Sequence, residues 1–289
     1  MARMGLCVFF FLLVSSFPSS YSVVHKEQRV PALFVFGDSV VDGGNNVIFD
    51  HGASTGHLPY GVDFPTGPTG RFTNGLNPGD ILAVFLNFTH LPPAVLDPKA
   101  VGGMITIGVN YASGGSGILD YPNDKISTSV LFKQLPWCMC CLPQSMYNLG
   151  ARKFVLFGVQ PLGCNPAFQQ QNNNTCKADL NYGAVKFSGI MRSSISKLIE
   201  TMPSAQFVYV NAYNITENIY KNPGSEGFKV VNKACCETNT DFPPGVACVP
   251  ESKPCGNRDA YMFYDGAHCS TALYRILVEK AFLSQDAME

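Results

Sequence analysis

Arg29-Val-Pro-Ala-Leu-Phe-Val-Phe-Gly37 is the stretch on which the reading of this chain turns. A continuous apolar run of this length that stops at a glycine suits a strand buried on both faces of a parallel sheet. Three more runs of the same kind follow: Met104-Ile-Thr-Ile-Gly-Val-Asn110, Lys153-Phe-Val-Leu-Phe-Gly-Val159 and Gln206-Phe-Val-Tyr-Val-Asn211. Each ends in or near Gly or Asn, residues that turn a chain away from a sheet edge. Helical segments alternate with them. One is expected over 77–88. Another runs from Ala178 to Met202, where Leu180, Ala184, Phe187, Met191, Ile195, Leu198 and Met202 recur every three or four residues and the pattern stops before Pro203. Those positions read as core, not as the lining of a cofactor site. The last helix carries Leu273, Ile276, Leu277 and Phe282, with Ser270 placed to cap it. Alternation of this kind implies an α/β fold, a doubly wound parallel sheet with helices on both faces. Ligands of such sheets bind beyond the carboxyl ends of the strands, so the residues just after each strand matter most.

Outside these elements the amino terminus is distinctive. Arg3 precedes an apolar run and then small and polar residues through Ser22, the order of a secretory signal peptide at 1–22, with the remaining domain at 30–289. The run is too short for a membrane-spanning helix, and no later segment is long and apolar enough, so no integral membrane segment is expected after cleavage. A net charge of −1 and the lack of any basic block argue against a nucleic-acid partner. Sequons at Asn87-Phe-Thr, Asn173-Asn-Thr and Asn214-Ile-Thr become glycosylation candidates in a secreted chain. Of 11 cysteines, all but Cys7 lie beyond the leader. In an oxidising compartment most should pair. Cys164 with Cys176, and the set Cys235, Cys236, Cys248 and Cys255, flank loops that staples would hold, although spacing does not fix the connectivity. Zinc is the competing reading, but no two CxxC pairs occur, and no metal or other cofactor is expected.

The chemistry-bearing residues follow the strands. Gly37-Asp38-Ser39 puts a serine on a glycine-containing turn at the end of the first run, where backbone N–H groups can stabilise an oxyanion. The GxSxG elbow of ordinary α/β-hydrolases is absent, since position 41 is valine. Asp265-Gly-Ala-His268 allows the carboxylate to hold one imidazole nitrogen while the other faces substrate, as a general base requires. Taken alone, this pair could equally be a stray Asp and His on a surface loop. Gly108-Val-Asn-Tyr-Ala-Ser-Gly-Gly-Ser-Gly117 lacks the GxGxxG spacing of a phosphate loop and suits close backbone approach to a substrate oxygen.

Together these pieces resemble the plant-type secreted GDSL esterase/lipase (SGNH hydrolase) family over nearly all of the chain beyond the leader. The matching blocks are Phe34-Val-Phe-Gly-Asp-Ser-Val-Val-Asp-Gly-Gly-Asn-Asn46, Gly70-Arg-Phe-Thr-Asn-Gly75, Gly108-Val-Asn-Tyr-Ala-Ser-Gly-Gly115, Leu149-Gly-Ala-Arg-Lys-Phe-Val155, Pro161-Leu-Gly-Cys164, Ala234-Cys-Cys236 and Tyr264-Asp-Gly-Ala-His268. The resemblance implies a three-layer, flavodoxin-like α/β fold. It implies Ser39 as nucleophile, His268 as base and Asp265 as its orienter, with the N–H groups of Ser39 and Gly115 as oxyanion donors. The implied partner is a small-molecule, lipid or polysaccharide ester.

One block of the resemblance is missing. The family carries a Gly-x-Asn-Asp stretch after a central strand, whose Asn side chain is a third oxyanion donor. The corresponding interval, Ile126 to Tyr147, has no such motif. The expectation is an internal deletion near 126–146 that removes one central strand and its adjacent helices, with Cys138, Cys140 and Cys141 as junction sequence. The chain then reads either as a spliced or mispredicted product or as a compact diverged member. The competing function is that of a non-catalytic secreted glycoprotein that binds acyl or lipid groups without turnover.

Overall fold

The structure, a computed structural model, describes residues 27–49, 55–117, 141–240 and 244–283. The leader expected at 1–22 lies outside these residues, as do Cys138 and Cys140. The helices are α1 (Asn45–Phe49), α2 (Pro78–Phe85), α3 (141–148), α4 (Pro166–Gln170), α5 (Ala178–Thr201), α6 (Ala212–Lys221) and α7 (Thr271–Leu283). Strands β1 (Lys153–Phe157) and β2 (Gln206–Val210) pair in parallel, with Lys153 opposite Gln206 and Phe157 opposite Val210. Strands β3 (Val230–Ala234) and β4 (Tyr261–Phe263) form a second parallel pair.

Neighbouring residues on a strand point to opposite faces, and here each face meets a helix. Leu156, Phe207 and Tyr209 pack with Met191 and Ile195 of α5. Phe157 turns the other way, onto the cluster built by Ala212, Ile219, Leu273, Leu277 and Val278 of α6 and α7. Helix, sheet and helix therefore stack in three layers, the α/β architecture expected from the alternation. Leu273 and Val278 are inaccessible to solvent, and burying side chains of this size stabilises a fold by about 1.5–3 kcal/mol each.

The helix boundaries have local causes. Asn77 accepts the Asp80 N–H while the Asp80 carboxylate accepts the Asn77 N–H, a reciprocal cap reinforced by Pro78 at the first turn. This helix ends at Phe85, three residues short of the expected Phe88. In α5 the expected stripe is the buried one at Ala184, Met191, Ile195 and Leu198. Ser270 Oγ accepts the Leu273 N–H at 3.4 Å at the start of α7.

Two sequence expectations fail. Residues 33–37 run parallel beside 107–113, with Leu33 N–H to Ile107 O at 2.8 Å, Val35 N–H to Val109 O at 3.0 Å and Tyr111 N–H to Val35 O at 2.8 Å. They form only an isolated bridge, Val35 to Asn110, rather than a regular strand. Residues 102–107 are a 3₁₀ helix (Gly102–Ile107) with none of its side chains buried. Ile105, Thr106 and Ile107 favour a strand, but a strand needs neighbours for its peptide groups. Here the chain satisfies its own carbonyls until Gly108, whose φ of +111° and approach to Leu33 O leave no room for a Cβ. The second failure concerns burial. Phe34 and Phe36 stand 50% and 37% exposed, not covered on both faces. Among the described residues, the named strands form two separate two-stranded sheets and no single continuous one.

Three disulfides, Cys164–Cys176, Cys235–Cys255 and Cys236–Cys248, staple the loops that the cysteine positions singled out. Cys141 is free and exposed, and Cys269 is free and buried.

Candidate active site

The turn carrying Ser39 leaves the end of the 33–37 run. Val40 N–H donates to Asp38 Oδ1 at 3.0 Å and Val41 N–H to the Asp38 carbonyl at 3.2 Å, a side-chain-closed turn that lifts Ser39 out of the strand direction. Just beyond it, Asp42 is completely buried and its carboxylate accepts three backbone N–H groups, from Gly44, Asn45 and Gly114. The first two start α1, and the third ties the serine turn to the glycine-rich loop. Asn45 donates to the carbonyls of Asn110 and Ala112, Asn110 donates to that of Val41, and Asn46 to that of Gly114. Gly37 O accepts the Ser113 N–H at 3.1 Å. Gly115, next along, has a φ of +82° and open space beside its Cα.

From the far end of the chain, the loop after β4 brings in Asp265 and His268. Gly266 can make this turn because its backbone lies against Gly245 O, which a Cβ would meet at 1.7 Å. Asp265 Oδ1 accepts the N–H groups of Ala267 and His268, at 2.8 and 2.6 Å. Its Oδ2 stands 2.8 Å from His268 Nδ1, and His268 Nε2 stands 2.8 Å from Ser39 Oγ. The Phe72 ring packs 4.9 Å from the imidazole. The carboxylate holds a proton on Nδ1, so Nε2 presents its lone pair to the serine hydroxyl, and this arrangement can take the Ser39 proton as the oxygen attacks. The two ends of the chain thus meet, with the Asp265 carboxylate, the His268 ring and Ser39 Oγ joined in one line of hydrogen bonds.

Burial favours the neutral imidazole, but the Asp265 charge and hydrogen bond and the nearby Asp38 charge outweigh it, and His268 sits above its ordinary pKa of 6.5. Burial pushes the neighbouring Cys269 thiol up to about 12, against a hydrogen bond to Gln160 that lowers it. That thiol therefore stays protonated and plays no part as a nucleophile.

Several supporting residues carried no chemistry in the sequence reading. Arg71 and Asp80 make a buried two-pronged pair at 2.6 and 2.8 Å, and Arg71 also donates to the Gly43 carbonyl. Thr73 Oγ1 donates to Cys269 O, and Asn74 Oδ1 accepts the Thr271 N–H. The segment 71–74 therefore grips the serine side and the histidine side at once. Tyr60 donates to Asp265 Oδ2 at 2.7 Å. The sequon asparagines lie apart from this site. Asn173 is exposed in a turn at φ +51°, Asn87 donates to Glu27 O at 3.0 Å, and Asn214 is on α6 with the hydroxyl of Thr216 buried. Among the described residues no cluster of His, Cys, Asp or Glu could hold a metal ion, and no helix is long and apolar enough to cross a membrane.

A family model described as GDSL-like lipase/acylhydrolase matches residues 33–140 and 141–281, nearly the whole described fold. The chain belongs to this family. Two curated relatives from Arabidopsis thaliana agree. GDSL esterase/lipase At1g71250 is 32% identical over 337 residues, covering 94% of this chain and 90% of the relative. GDSL esterase/lipase At5g45670 is 29% identical over 357 residues, covering 100% of this chain and 97% of the relative. By family, the GDSL chain is a hydrolase of carboxylic esters. Both alignments are longer than its own 289 residues, and the family match breaks between residues 140 and 141.

Proposed function

We propose that this GDSL chain is a secreted serine esterase that works through an acyl-enzyme on Ser39. The observation that carries the reading is the unbroken relay from Asp265 through His268 to Ser39 Oγ, with both links at 2.8 Å. Ser39 Oγ attacks the acyl carbon as His268 Nε2 takes its proton. The N–H groups of Ser39 and Gly115 receive the developing oxyanion, His268 returns the proton to the leaving alkoxide, and water then releases the acid. The leader at 1–22, three disulfides and the sequons at Asn87, Asn173 and Asn214 support secretion and glycosylation, Asn173 and Asn214 being exposed.

We also infer that an internal segment carrying the third oxyanion donor is absent at the junction of 140 and 141. The two-piece family match and the over-long alignments support this. A missing donor of this type costs about 10²–10³ in rate, so a slow enzyme is expected. The gene sequence between the codons for Ile126 and Met146 tests the inference directly: a skipped exon encoding Gly-x-Asn-Asp supports it, and continuous coding sequence refutes a splicing origin.

The test of the function is labelling by a fluorophosphonate and turnover of a p-nitrophenyl ester, both lost in Ser39→Ala. Saturable acyl binding with no turnover, unchanged in Ser39→Ala, would favour the non-catalytic alternative. The pH profile adds a second check. The base must be neutral, so activity should rise with pH through a midpoint above 6.5, because the His268 value is raised. Stability runs the other way. A histidine raised on folding contributes stability that is fully present below 6.5 and fades as pH climbs through the folded value.

A further inference from the structure

We infer that Tyr60 is a positioning residue for Asp265, a phenol held by the Cys236–Cys248 loop that fixes the carboxylate oxygen orienting His268. The inference rests on the esterase reading above. Tyr60 is 1% exposed, and its oxygen makes two hydrogen bonds: it donates to Asp265 Oδ2 at 2.7 Å and accepts from the Cys248 N–H at 3.0 Å. A backbone N–H can only donate, so the phenol must accept there, and its single proton is left for the carboxylate. Burial and the adjacent Asp265 charge hold the phenol well above its ordinary pKa of 10.0, so that proton is present at every working pH.

The tyrosine is itself fixed. Cys248 is joined to Cys236 and bridged to Thr238, and Cys236 N–H bonds the Tyr264 carbonyl at 3.0 Å. The rings of Phe72 and Tyr264 stand edge-on to Tyr60, at 6.4 and 5.9 Å between centroids. Asp265 Oδ1 is held by backbone, whereas Oδ2 has side chains alone, His268 on one side and Tyr60 on the other. Without Tyr60, that oxygen would be anchored only by the ring it is meant to orient. The charged groups facing the imidazole are Asp265, from its own loop, and Asp38, from the serine turn. Phe72 covers it with an uncharged ring.

The experiment uses the full, oxidised chain. Tyr60→Phe keeps the ring and deletes the hydroxyl, which concentrates the carboxylate charge on the imidazole and frees its rotation. The expected result is a fall in kcat of about tenfold with KM changed less than about twofold. The His268 titration, followed by imidazole proton NMR, should move to higher pH. As a control, Tyr264→Phe removes a buried hydroxyl that bonds the Pro59 carbonyl rather than the Asp265 carboxylate, and its His268 titration should overlay that of the parent. A fluorotyrosine at position 60 preserves the packing, donates more strongly and should move the titration to lower pH. This keeps the test open if Tyr60→Phe does not fold. An unmoved His268 titration in Tyr60→Phe or in the fluorotyrosine chain overturns the inference. NMR needs no turnover, so a parent without esterase activity would overturn the functional reading and leave Tyr60 to be decided by the titration.

Discussion

Asp42, Asp80 and Asp265 are each at most 2% exposed, and each is bound by three or more donors. Phe34, Phe36 and Val155, from runs that should be interior to a sheet, stand 50%, 37% and 37% exposed. The first group holds the loops around Ser39 and His268, and the second lies on the 33–37 run and on β1. The contrast teaches that the Ser39–His268 geometry is set by polar links between loops far apart in sequence, not by completeness of the sheet. A chain can thus keep a closed relay over a scaffold whose apolar faces are only partly covered.

Asp265→Asn should give the largest effect. An amide can still accept two backbone N–H groups on its oxygen, but its NH₂ then faces two donors, the Nδ1–H and the Tyr60 hydroxyl. The imidazole must switch tautomer and point a proton at Ser39, which should lower kcat by about 10⁴. A variant that keeps a tenth of the parent turnover would break the assignment. Grafting the residues that At1g71250 has opposite the junction between 140 and 141 is the complementary change. If the sheet is incomplete and one oxyanion donor is lost, the grafted chain should turn over p-nitrophenyl esters about 10²–10³ faster, with the same pH midpoint. A folded graft with no gain would mean that the site needs nothing from that segment.

Stability separates the two regions as well. Replacing Arg71 with Met leaves the buried Asp80 charge uncompensated and loosens the serine loop at Gly43, and the expected loss is about 3–5 kcal/mol in urea unfolding. Arg258 pairs with Asp63 in the same two-pronged geometry, but its side chain is 27% exposed. Arg258→Met should cost no more than about 1 kcal/mol. Equal losses would show that the loop links near Ser39 have no special role.

The contrast also explains what could be read from sequence. Ser39 stood out in the sequence because it sits on a glycine-containing turn after an apolar run, Asp265 and His268 because they are three apart with small residues between, and α5 and α7 because their stripes hold a helical period. Tyr60, Asp42 and Arg71 were not. Their partners lie up to 205 residues away, or share a loop with no repeating pattern. A local signal existed at one place, where Asn77 and Asp80 have the spacing of a reciprocal helix cap. The run at 104–107 was misread for the opposite reason. Its β-branched residues carry a strand preference that only a neighbouring strand on each side could realise.

The smallest effect expected in the present chain is the one that probes the 33–37 run directly. Phe34→Ser removes an aromatic ring that is half in water already, so unfolding free energy should change by no more than about 0.5 kcal/mol. Leu273→Ala, in the closed cluster between α2, α6 and α7, should cost about 2–5 kcal/mol and calibrates the measurement. The same Phe34→Ser change in the grafted chain is the informative one. If the added segment lies over the 33–37 run, the ring becomes interior, and its loss should cost several-fold more than in the parent. The difference between the two Phe34→Ser values is then the coupling between ring and segment, independent of how stable either chain is overall. Identical values would mean that the face carrying Phe34 is solvent-facing by design, and that the segment contributes to this protein through the oxyanion alone.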